Sequence, residues 1–198
     1  MAVTTNYGVP IDGSTGSTLM PKLQYRFRVT FTNLGFSTGT QVSRNVISVN
    51  RPALDHDDVT IDVYNSKIRL AGKHTWQDIT LTLRDDVDSE VISAIGEQLN
   101  KQVDHGSQSS AKAGQGYKFT TIIETLDGGN EGEESVLDKW TMVGCFIPSV
   151  QYGDLNYATS DQVQVTVTLR YDNASNDVNG QDKLSIATVS GAGNAATR

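Results

Sequence analysis

Three carboxylates surround an imidazole at Asp55-His56-Asp57-Asp58. Residues of these types hold divalent metals or pass a proton between an acid and a base. The other histidines, His74 and His105, stand at no ligand spacing from His56 along the chain. Neighbouring side chains of an extended segment point to opposite faces, so the four cannot all converge on one ion. The stretch follows Arg51-Pro52 and reads as an exposed, charged loop. The "DGGNEGEE" run from Asp127 lacks the ligand order of a calcium loop and reads as an acidic hairpin connection. Gly114-Gln115-Gly116 precedes Lys118, but a strand follows where a phosphate cradle needs a helix. Cys145, the single cysteine, sits in the apolar run "MVGCFIP" with no base in sight and reads as a small buried thiol. Asp85-Asp86 precede a helix and fit capping. No catalytic, cofactor-binding or metal-ligating residue is therefore assigned, and the chain reads as a non-enzyme.

The elements around these residues are mostly strands. "YRFRVTFTN" sends Tyr25, Phe27, Val29 and Phe31 to one face and Arg26, Arg28, Thr30 and Thr32 to the other. "QVSRNVISV", "WQDITLTLR", "YKFTTIIETL", "LDKWTMVGCFIP" and "QVQVTVTLRY" are further strands, with Trp76 and Trp140 directed to the core. Residues 58–70 form a hairpin in which Val59, Ile61 and Val63 alternate with Thr60, Asp62 and Tyr64 around a turn at Asn65-Ser66. Ala71-Gly72 breaks that pattern. One helix is expected over about residues 88–103, on the stripe Val91, Ile92, Ile95, Leu99 and Val103. The fold class is mainly β: an antiparallel barrel or sandwich with one flanking α-helix and extended terminal arms. The expected division is an arm at 1–22, a β-domain at 23–173 and an arm at 174–198.

Composition narrows the function. The 198 residues carry a formal net charge of −7, which opposes tight binding of nucleic acid by phosphate neutralisation. It does not oppose a surface past which nucleic acid slides. "MAVTTNYGVPID" has neither a basic nor an apolar leader region, so folding in a cytoplasm is expected.

Several stretches resemble the tail tube protein of contractile-tailed (myovirus) bacteriophages. They are Tyr64-Asn65, Ala71-Gly72-Lys73 before "ITLTLRDD", Gly144-Cys145-Phe146, Tyr152-Gly153-Asp154-Leu155, and Leu169-Arg170-Tyr171-Asp172-Asn173. In order and spacing they span roughly residues 23–173. The resemblance implies a small β-barrel with a flanking helix, hexameric rings, and their stacking into a hollow tube inside the sheath. It implies sheath, baseplate or initiator, tape-measure and tail-terminator proteins as partners. It places the protein in the virion tail, assembled in the host cytoplasm, and has genomic DNA pass through during ejection without specific binding or any membrane. The tubes of related injection and type VI secretion-like systems share the fold and are the alternative. A β-sandwich binding module is a further one and would need an exposed aromatic cluster.

Within this frame Val59, Ile61, Val63, Tyr64, Asn65, Lys67, Ile68 and Leu70 are expected to contact a neighbouring subunit. Thr60, Asp62, Gln162 and Gln164 are the candidates for lining the lumen.

Overall fold

The computed structural model describes residues 21–35, 40–110, 116–128, 135–178 and 180–184 of the chain. The rest of both expected arms and most of the acidic "DGGNEGEE" loop lie outside the described residues.

Alternation of apolar and polar residues builds the main sheet. It comprises β1 (Phe27–Thr32), β2 (Val46–Val49), β5 (Ile79–Arg84), β6 (Phe119–Leu126), β7 (Val136–Gln151), β8 (Gln164–Arg170), β9 (Asn173–Val178) and β10 (Gln181–Leu184). The pairing is antiparallel in the order β1-β6-β7-β8-β5-β2, with β9 also on β7 and β10 on β9. The 16-residue β7 belongs to both halves. Its first part pairs with β6 and β9, and from Phe146 onward it pairs with β8. The sheet wraps one core because both halves send their apolar residues inward. Val29, Phe31, Phe119, Ile123 and Met142 meet Ile79, Leu81, Leu83, Val165, Val167 and Leu169 there, all buried. Burying such side chains stabilises by roughly 1.5–3 kcal/mol each, before the opposing entropy.

The expected helix is α2 (Glu90–Gln102). The N-cap residue is Ser89, which makes no side-chain cap bond, but Asp86 Oδ1 reaches the helix start and accepts from the Glu90 backbone N–H at 3.1 Å. Its inward face is Val91, Ala94, Ile95 and Gln98, whereas Ile92 and Val103 are exposed. The buried stripe is thus turned from the expected one, because the fully buried Gln98 holds two backbone groups. Its Oε1 accepts from the Gly35 N–H at 3.1 Å, and its Nε2 donates to the Tyr117 carbonyl.

Three segments differ from the sequence expectation. Thr40–Arg44 is a short helix, α1, so only the second half of "QVSRNVISV" is strand. Asp55–Asp58 lie not in a loop but within β3 (Leu54–Val63), which pairs with β4 (Ser66–Trp76). Aspartates are poor strand formers. Here a partner strand supplies their backbone bonds, with Asp55 opposite Thr75 and His56 opposite His74. Finally, strand pairing runs on past residue 173. The polar β9 docks on β7 with Ala174 and Asn176 buried, and Asn176 Nδ2 donates to Asp138 Oδ1 at 2.6 Å.

Candidate assembly surface

β3 and β4 form a separate two-stranded sheet. The turn is Tyr64-Asn65, one residue earlier than expected, with Val63 opposite Ser66. Tyr64 takes a positive φ of 47° and is fully exposed. The hairpin continues through Ala71-Gly72, where the register shifts between His56 and Asp58. That shift is a β-bulge, with the extra residue on β4. Gly72 eases the approach there: a Cβ would lie 3.0 Å from the Asp57 carbonyl oxygen and 3.2 Å from Val59 Cγ2, so a larger residue would need the neighbours to give by a few tenths of an ångström.

Register separates the two faces. Val59 opposes Leu70 and Ile61 opposes Ile68, with Val63 next on the same face. These five side chains remain 44–50% exposed. On the other face Thr60 opposes Arg69 and Asp62 opposes Lys67. Lys67 pairs with Asp62 at 3.4 Å and Arg69 with Asp58 at 3.5 Å. Exposed pairs of this kind contribute little to stability. A lone hairpin is marginal in water, and among the described residues this one leaves its apolar face about half exposed.

The base of the hairpin is anchored by aromatic contacts. Trp76 lies 5.6 Å from the Tyr171 ring, and its Nε1 donates to Asn173 Oδ1 at 3.2 Å. His74 meets Trp76 edge-on at 6.3 Å and His56 at 6.2 Å. Beside them Arg170 grips Asp78 through two nitrogens, at 2.8 and 3.0 Å. Burial pushes the Tyr171 hydroxyl up to about 12, and among the described residues that hydroxyl has no hydrogen-bond partner.

"DHDD" is divided by the strand. Asp55 and Asp57 fall on the side of Val59, and His56 and Asp58 on the side of Thr60. Asp55 instead accepts from Gln77 Nε2. Among the described residues no set of three His, Cys, Asp or Glu side chains gathers as metal ligands. The His56–His74 pairing could not be read from chain spacing, since it depends on hairpin register. Cys145 is fully buried, and its thiol is raised, chiefly by desolvation. Of the lumen candidates, Thr60 and Asp62 are on the hairpin, Gln164 begins β8, and Gln162 is exposed in the loop before it. Among the described residues no helix is long and apolar enough to cross a membrane.

No family model matches the chain, and no curated protein matches it significantly. Solved structures do. The tube-terminating cap of the anti-feeding prophage superposes with a TM-score of 0.62 at 18% identity, covering 86% of this chain and 99% of that one. The sheath/tube terminator of an extracellular contractile injection system, PVC, gives 0.61 at 17%, covering 81% and 99%. The SPP1 tail tube gives 0.53 at 12%, covering 80% of each. At these identities the likeness concerns the fold, and it extends over almost the whole length of the first two neighbours. The chain carries the fold of tail-tube and tube-terminating proteins.

Proposed function

We propose that this protein is a structural tube subunit with no enzymatic role. Copies close into hexameric rings, and the rings stack into a hollow tube inside a contractile sheath. In a phage tail that tube conducts DNA; in a related injection or type VI secretion-like system it conducts other cargo. Sheath, baseplate or initiator, tape-measure and terminator proteins are its expected partners, and the virion tail its location. The observation that carries this reading is the hairpin. An apolar face formed by Val59, Ile61, Val63, Ile68 and Leu70 is left about half exposed by the described residues, and a second copy of the chain would cover it. Contacts that are not self-complementary repeat into rings and filaments. The acidic balance of −7, multiplied round a ring, keeps DNA phosphate from adhering.

A second reading is favoured by the two superpositions above 0.6, both on terminators. As a terminator the chain would close the end of a tube rather than extend it. Negative-stain imaging of the purified chain at rising concentration separates the two. Long tubes support the subunit reading, and isolated rings that stop growing support the terminator. Monomers at every concentration, also with tube ends supplied as seeds, would reject both.

A further inference from the structure

The outer faces of the two halves differ in one respect, a row of charges, since the half that carries it also has an uncharged row of Thr30, Ile122, Thr141 and Ser175. In one half, β1-β6-β7-β9, register aligns Arg28, Glu124, Lys139 and Asp177 in a single row of alternating charge. Arg28 Nε and Glu124 Oε2 are 2.9 Å apart in that row. In the other half, β2-β5-β8 and the last part of β7, two rows cross all or most of the strands without a charge. Ser48, Thr82, Thr166 and Gln151 make the first; Thr80, Thr168 and Ser149 make the second. Their inward neighbours Leu81, Leu83, Val165 and Val167 are core, so these hydroxyls point away from it. Charge returns only at the rims, with Arg84 beside Gln164 at one end and the Arg170–Asp78 pair at the other.

Resting on the tube reading, we infer that this hydroxyl face is the wall of the lumen. A conduit must wet its wall yet hold nothing that passes. Threonine and serine hydroxyls give and accept weak bonds that water replaces at little cost. A row of fixed charges of both signs would pin a charged cargo at each ring, and would serve instead where the tube meets another protein. The face can also be continuous round a ring. Among the described residues β2 pairs only with β5, and residues 146–151 of β7 pair as strand only with β8. Gln102 of α2 occupies the Ile147 N–H and carbonyl, both at 2.9 Å, so the edges left for joining copies are β2 and the end of β7 beyond Ile147. The wall is then built from Thr80, Thr82, Thr166 and Thr168 with Gln164 at its rim, while Thr60 and Asp62 lie off it on the hairpin.

Thr168→Cys tests this, because the native Cys145 is fully buried and leaves the new thiol as the reactive one. Tubes of the variant are labelled after assembly with a maleimide–undecagold cluster and imaged by cryo-electron microscopy in cross-section. Gold inside the bore is expected, with gold on the outer surface for Ser175→Cys on the charged half. Gold outside the tube for Thr168→Cys overturns the inference and leaves the tube reading standing. Thr82→Cys is the second variant. If wild type forms tubes and neither threonine variant does, the face is a subunit contact and the inference fails. Failure of wild type to form rings or tubes rejects the tube reading, and the lumen wall with it.

Discussion

Glycines separate positions where backbone geometry decides from those where it does not. Gly144 stands where β7 passes from one half of the sheet to the other, at φ 74°. A Cβ there would collide with the Asp172 carboxylate, coming 2.7 Å from its Cγ, and that carboxylate pairs with Lys118. Gly144→Ala should lower stability by roughly 1–3 kcal/mol, read from the urea midpoint. Gly96, in α2, has nothing within 4 Å of its Cβ position. Gly96→Ala should therefore raise stability, by roughly 0.4–1 kcal/mol. Tyr171 supplies a pH test. Its folded value near 12 exceeds the ordinary 10, so the unfolded chain loses this proton first as pH rises. The contribution is complete below about pH 10 and is lost between 10 and 12. Tyr171→Phe should remove that alkaline loss, measured as urea midpoints at pH 9 and 11.5. It should cost little at neutral pH, because the hydroxyl has no partner to forfeit among the described residues.

Elements with strong periodicity could be read directly from the chain. β1, β5, β6 and β8 follow their two-residue alternation, and α2 ends within two residues of the expected span. Apart from the short helix α1, what was missed depends on strand partners. Asp55–Asp58 become strand only because β4 lies opposite, and β9 becomes strand only because β7 offers an open edge and Asp138 receives Asn176. Composition alone made the first a loop and the second an arm. The hairpin itself was legible, but its turn and its bulge were not, since both depend on register. Because the hairpin is separate from the core, Ile61→Asp should leave circular dichroism unchanged and the thermal midpoint close to that of wild type. The same variant should lose assembly into rings and tubes, read by sedimentation velocity. Normal assembly of Ile61→Asp would remove the apolar face from the interface.

At the scale of the whole molecule, one apolar core carries three unlike surfaces: a charged sheet face, a hydroxyl sheet face and an exposed apolar hairpin. A monomer in water gains nothing from the third, whereas a repeated assembly uses it at every step. The core was foreseeable from alternation, but this division of surfaces was not, because it arises from which strands become neighbours. Cryo-electron microscopy of the purified chain at high concentration tests the central claim most directly. The expected result is a six-fold ring, stacked into a hollow tube, in which Val59, Ile61, Val63, Ile68 and Leu70 are covered by a neighbouring copy. An assembly in which that face stays in solvent, or a chain that remains monomeric throughout, would contradict it.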